Sequence, residues 1–320
     1  MSAAEGGTAS SGSTPGGGRL AQGGPARVDL TILAGAVLCA STAPPLTAAI
    51  AAPALAIAFW RNAMALPVSI PMAWWYERGG LRGLSPRVAL LVGFAAVMLA
   101  LHFASLAAAL DRTSVASAAT LVCGQSVWAA LFAGALGERL SPLGWVGTAL
   151  ALAGVVAVTG VDAVVSEGTL TGNLLALLSG VAGGAYMVSG GVARQHVSAS
   201  LYTALCYSAC AAVLLGAAVL TGTALTGFGP ATWIGLAALT LLAQLLGHSL
   251  FNFVMRSVSP SLVSLSQLMT VPIASVIAAV ALDQTPPPAL LPAIGLMVVG
   301  IGLVVTSHRR RAVRLVADES

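Results

Sequence analysis

The sequence predicts an all-α integral membrane protein: ten transmembrane helices arranged as two inverted five-helix repeats. Three observations lead there. The 320 residues are 58% hydrophobic and only 8% charged, where a soluble domain carries roughly 25% charge. Ten stretches are apolar over the roughly 20 residues that a helix needs to cross a bilayer. The second half of the chain also echoes the first at a distance of about 145 residues.

The spans run approximately Leu30–Ile50, Pro53–Tyr76, Val88–Leu110, Ser114–Leu136, Pro142–Val161, Leu170–Val192, Ser200–Thr221, Pro230–Met255, Pro260–Leu282 and Ala289–Thr306. Short loops join them, so neighbours run antiparallel. Residues 1–28, rich in Gly, Ser and Ala, predict a disordered cytoplasmic tail. They contain no apolar run or cleavage pattern of a signal peptide. Residues 308–320 read as a basic tail.

Arginine sets the expected orientation. All 14 basic residues are arginine, which with the abundant Ala, Gly and Leu points to a GC-rich bacterial genome. With the N-terminus inside, Arg78, Arg82, Arg87, Arg139, Arg194, Arg256 and Arg309–Arg311 fall on the cytoplasmic side, and Arg112 alone in outside loops. Trp74, Trp75 and Tyr76 form an aromatic belt at the inner face. The expectation is a multi-pass protein of the plasma (inner) membrane with both termini in the cytoplasm. Cys39, Cys123, Cys206 and Cys210 lie in apolar segments without CxxC spacing and read as small core residues.

The echo is ordered. Glu138 falls on Asp283, the Ser141–Pro142 turn on Pro286–Pro288, Ser114 on Ser259 and, with a one-residue gap, His102 on His248. Five spans per half is odd, so the halves enter the membrane in opposite directions. The repeats are expected at 29–161 and 162–307.

"LGERLSPLGWVGTALALAGVVAV", "HSLFNFVMRSVSPSLVSLSQLMTVPIASVIAAVALDQTPPP" and "AIAFWRNAMALP" resemble the EamA-like branch of the drug/metabolite transporter superfamily. The resemblance covers roughly Asp29–Thr306 and implies a single-chain carrier of small metabolites or amino acids, often working outward. Two features depart from the family pattern. Span 4 has no counterpart of Pro272 in span 9, and Tyr207 stands where the second half would match Arg61.

Polar side chains inside spans mark candidate substrate contacts. Gln244, His248 and Asn252 recur every four residues in span 8 and share one helical face; helix–helix hydrogen bonding uses the same residue types. Gln125 and Trp128 lie on or beside a stripe in span 4, and Ser264 and Gln267 on one in span 9. Tyr186, Tyr207 and His102 complete the set. Arg61, the only charge well inside a span, lies eight residues past Pro53, about 12 Å at 1.5 Å per residue. It is a candidate counter-charge for a carboxylate-bearing substrate. Gly180 and Gly184 have the GxxxG spacing of close helix packing, and Pro44 and Pro45 predict a break in span 1.

No carboxylate lies at mid-membrane, which favours facilitated transport or exchange over proton antiport. His102 and His248 are the groups able to titrate near neutral pH. A proton-coupled antiporter using one of them, or a channel or lipid flippase, is the alternative. A membrane enzyme would need a nucleophile, metal set or acid pair, and no such motif is present. The expected partners are a small-molecule substrate and the bilayer, with no nucleic acid, metal or cofactor, and a monomer as the working unit.

Overall fold

The structure, a computed structural model, describes residues 27–76, 84–136, 141–165, 169–247, 250 and 266–318. All elements among them are helical. Seven helical stretches are long and apolar enough to cross a bilayer: Val28–Ala49, Ala54–Tyr76, Pro86–Leu110, Val115–Ala135, Thr169–Ala193, Ala199–Thr221 and Pro230–Gly247. Three shorter apolar helices, Pro142–Val158, Thr270–Leu282 and Leu290–Val304, coincide with expected spans 5, 9 and 10.

Several spans are broken, and the breaks have local causes. In span 1, α1 (Arg27–Ser41) gives way to α2 (Ala43–Ala49) at Thr42, with the expected prolines in the first turn of α2. The Thr42 hydroxyl donates to the Cys39 carbonyl at 2.7 Å, so that carbonyl is satisfied locally rather than turned toward a cavity. Span 2 divides into α3 (Ala54–Ala63) and α4 (Leu66–Tyr76). Pro67 lacks the N–H that the Ala63 carbonyl would take, and the chain tightens there, with Ala65 N–H donating to Asn62 O at 3.1 Å. Span 3 is one helix, α5 (Pro86–Leu110).

Spans 4 and 9 bend at matching places. In span 4, α6 (Val115–Cys123) and α7 (Gln125–Ala135) meet at Gly124, whose N–H donates to Leu121 O at 3.2 Å. In span 9 a tight turn, Met269 N–H to Ser266 O at 3.0 Å, precedes α12 (Thr270–Leu282). Pro272 cannot donate to the Leu268 carbonyl, and Val271 N–H takes it at 3.4 Å instead. Under the 145-residue spacing Gly124 falls on Met269. Span 4 therefore bends without the proline whose absence the sequence made conspicuous.

The first half closes with α8 (Pro142–Val165), and the second continues with α9 (Thr169–Ala193), α10 (Ala199–Thr221) and α11 (Pro230–Ala238). Beyond α11 the chain is wound as a π-helix over Leu239–Gly247. The last helix, α13, runs Leu290–Asp318. The helix runs on past the apolar span into the basic tail: residues 307–318 contain neither Gly nor Pro, and nothing in them stops it.

Helix pairing follows a pseudo-two-fold relation between the halves. Packed together are α3 and α4 with α10 (spans 2 and 7), α6 with α12 (spans 4 and 9), and α8 with α13 (spans 5 and 10). Each pair joins equivalent spans. The α5–α9 pair (3 and 6) is mirrored by the π segment with α1 (8 and 1). An inverted repeat requires such exchanged partners. The GxxxG face of α9 does pack closely: a Cβ at Gly184 would lie 2.8 Å from Ala129 N, and one at Gly180 3.0 Å from Leu121 O, both on span 4.

Contacts across the halves also tie one end of the bundle. The Gln284 side-chain oxygen accepts from Val115 N–H at 3.1 Å, capping α6 from the turn after α12. Thr113 donates to Asn173 Oδ1 at 2.7 Å, and Trp60 Nε1 to Leu225 O at 2.6 Å. At this end the Asp111 carboxyl is raised above its ordinary value by burial, opposed by Arg112.

Candidate functional site

Two polar clusters flank α5 at adjacent residues, His102 and Phe103, about eight residues or ~12 Å from its end at Leu110. Arg61 lies seven residues past the start of α3, about 10 Å, so both clusters sit well inside a hydrocarbon layer of about 30 Å.

The first cluster is built on Arg61, which is 4% exposed. Its Nε and one terminal nitrogen donate to Gln244 Oε1 at 3.2 and 2.8 Å. Gln244, 1% exposed, sits in the π-wound segment and donates from Nε2 to Asn62 Oδ1 at 3.4 Å. Asn62 Nδ2 donates in turn to the Ala58 carbonyl at 2.8 Å. The guanidinium carbon lies 3.7 Å from the centroid of the Phe103 ring, a cation–π contact. Tyr207 is buried beside Arg61 and Gln244. Arg61 and Gln244 belong to opposite halves of the chain.

An arginine at mid-bilayer costs about 2.5–3.5 kcal/mol on insertion scales. Its partners here are neutral: an amide oxygen and an aromatic face. Among the described residues no carboxylate approaches Arg61 within ion-pair distance; Asp29, Asp111 and Asp283 stand at helix ends. The cluster thus carries net positive charge in an apolar layer, a standing attraction for an anion.

The second cluster lies on the other flank of α5. His102 Nδ1 is 2.9 Å from the Ser179 carbonyl, and the Ser179 hydroxyl donates to His102 O at 2.9 Å. The Ser179 hydroxyl also lies 3.0 Å from Nδ1; a carbonyl can only accept, so it is the Nδ1–H tautomer that bonds the Ser179 carbonyl. Gly183 makes room for both His102 and Gln125: a Cβ there would be 3.0 Å from His102 Nδ1 and 2.5 Å from Gln125 Oε1. Trp128 rests its Cβ on Gly184 and its ring near Phe132, at 6.5 Å between centroids.

The structure thus brings Arg61, Gln244 and Tyr207 together, and His102 with Gln125. It stacks Tyr186 on Tyr202, with centroids 6.3 Å apart and planes at 27°. Gln267 offers its backbone carbonyl to Thr270 Oγ1 at 2.6 Å and to the Cys123 thiol at 3.9 Å. His248, Asn252 and Ser264 lie outside the described residues. Of the expected span 8 stripe only Gln244 is therefore described, in the π-wound segment Leu239–Gly247. Asn62, Phe103, Ser179 and Gly183 were not singled out from sequence. Asn62 had a signal, as a second polar group beside Arg61; Phe103 and Ser179 had none. No group of three His, Cys, Asp or Glu that could hold a metal occurs among the described residues.

Comparison with known proteins accords with this geometry. No curated protein matches the chain. One solved structure, titled only "Crystal structure of protein", is similar over 88% of this chain and 98% of its own, with 22% identity and a TM-score of 0.59. At that identity the likeness carries the fold alone. The model of the EamA-like transporter family matches twice, over residues 27–160 and 170–306. With nearly all its helical residues inside those two matches, this multi-pass membrane protein belongs to the EamA-like transporter family.

Proposed function

We propose that the chain is a secondary carrier of ten spans, built as two inverted five-helix repeats, that moves small metabolites or amino acids by alternating access. In this reading it works outward across the plasma membrane, by facilitated diffusion or exchange, with the monomer as the transport unit. One observation supports it most: Arg61 of the first half and Gln244 of the second meet, buried, near mid-depth. Inverted-repeat transporters bind substrate at such a junction. Arg61 supplies the counter-charge, and Gln244, Tyr207, His102 and Gln125 line the route, joined by Trp128, Tyr186, His248, Asn252, Ser264 and Gln267.

The coupling is tested in vesicles containing the purified protein. With equal pH on both sides, net flux is expected to follow the substrate gradient and stop when it is gone. Sustained uphill accumulation driven by an imposed pH gradient alone would overturn the facilitated reading and point to His102 or His248 as a proton site.

The topology follows from the arginine bias. Reporter fusions are expected to place residues 160–168 outside and residues 78–87 inside. A common side for both segments would contradict the inverted arrangement.

A further inference from the structure

The Arg61–Gln244 contact has an unusual feature: a neutral side chain occupies the face of a buried guanidinium that suits a carboxylate. The Nε–H and one terminal N–H point the same way and form the fork that takes the two oxygens of a carboxylate. Here one amide oxygen bridges both, at 3.2 and 2.8 Å.

The orientation of that amide is set from both ends. Arg61 can only donate, so the Gln244 atom facing it is oxygen. The Ala58 carbonyl can only accept, so the Asn62 atom facing it is nitrogen, at 2.8 Å. Asn62 must then turn Oδ1 to Gln244, and Gln244 must answer with Nε2, at 3.4 Å. The relay Ala58–Asn62–Gln244–Arg61 has one consistent sense, with the three side chains at most 4% exposed. It also bridges the halves, since Gln244 lies 183 residues from Arg61.

We infer that the Gln244 amide oxygen is a stand-in for the carboxylate of a small monoanionic substrate, that Asn62 is the positioning residue holding it there, and that the substrate binds by displacing it. This rests on the proposed carrier function and names its substrate class. A carboxylate brings two oxygens and the charge that the cluster lacks, so it outcompetes a single neutral oxygen on the same fork. Displacement also breaks the polar link between α3 and the π segment, leaving apolar packing between Ile57 and Leu239 across which one half can move against the other. Phe103 and Tyr207 beside the fork favour a compact, uncharged body behind the carboxylate.

The test uses the purified full-length protein and thermal stabilisation by small probes, since a ligand selective for the folded state raises the melting temperature. The probes are acetate with acetamide, benzoate with benzamide, and inorganic phosphate. The acids are expected to stabilise saturably, and their amides and phosphate at least tenfold less well. Gln244→Glu places a tethered carboxylate on Arg61 and is expected to weaken acid binding at least tenfold while the unliganded protein melts no lower than wild type. Gln244→Leu and Asn62→Leu remove the stand-in or its support and are expected to tighten acid binding severalfold, even if they lower the melting temperature. A merely structural role for the relay predicts that all three variants weaken binding together; that result, or amides binding as well as acids, overturns the inference. Vesicle flux separates the two readings. Acid binding with the expected signs but no flux of any probe would sink the carrier function and leave the site standing. Saturable exchange of other solutes with no acid binding would do the reverse.

Discussion

Replacing Arg61 by alanine is expected to remove flux of carboxylate substrates by about two orders of magnitude, while a folded protein is still recovered. The expectation follows from the number and kind of bonds at stake. Two charge-assisted hydrogen bonds to a carboxylate contribute about 1.5–3 kcal/mol each, and each 1.4 kcal/mol is a factor of ten. Removing the guanidinium also removes the mid-membrane cost of the cation, and the Gln244 amide keeps Asn62 as a partner. The fold therefore loses less than the function. Arg61→Lys keeps the charge but not the fork, and falls between alanine and wild type. The check is the initial rate of labelled acetate or benzoate uptake into vesicles, normalised to protein that elutes as a single species. An alanine variant with more than half of wild-type carboxylate flux would remove Arg61 from the site.

Gly300→Leu and Gly154→Leu are expected to abolish recovery of folded protein. The reason lies in the approach of α8 and α13. A Cβ on Gly154 would stand 2.8 Å from the Met297 backbone nitrogen and Cα, and one on Gly147 2.7 Å from the Gly300 carbonyl. At Gly300 it would meet Ala151 N and the Gly147 carbonyl. These obstacles are backbone, which cannot rotate aside as a side chain can. Ala151, Met297 and Ile301 fill the seam beside them and are buried. Overpacking a tight core costs about 1–3 kcal/mol for a few extra carbons, and a leucine here must separate two helices outright. Membrane helices associate through such close contact because lipid supplies no hydrophobic drive between them. Gly134, whose Cβ would meet nothing within 4 Å, is the control: Gly134→Ala is expected to be recovered like wild type. Detergent size-exclusion profiles at matched expression decide the matter, and a wild-type profile for Gly300→Leu would refute the packing argument.

Much of the architecture was legible in the sequence, because bilayer thickness imposes a length on every apolar run. The break at Thr42 followed from Pro44 and Pro45 in the same way. The bend at Gly124 was hidden, since no proline marks it. The π winding around Gln244 was hidden as well: Leu239–Gly247 reads as an ordinary apolar helix. Arg61 and Gln244 each stood out as polar groups in greasy segments. Their contact did not, because it joins residues from different halves that only the fold brings together. His102 resisted in another way. It meets Ser179 at both the carbonyl and the hydroxyl, and a lone serine in an apolar span does not announce a partner 77 residues away.

The central claim is that one chain encloses an exchange site shared by its two halves, and counterflow tests it most directly. Vesicles reconstituted at one chain per vesicle are loaded with unlabelled benzoate and diluted into labelled benzoate. An alternating-access site returns to the outside faster loaded than empty or equally fast, so labelled benzoate is expected to accumulate transiently above its outside concentration and then decay. Arg61→Ala vesicles are expected to show no overshoot. Rapid non-saturable equilibration without overshoot in the wild type, beyond the passive entry of neutral benzoic acid into protein-free vesicles, would mean an open pore, and overshoot only at two or more chains per vesicle would mean that the site is not complete in one chain.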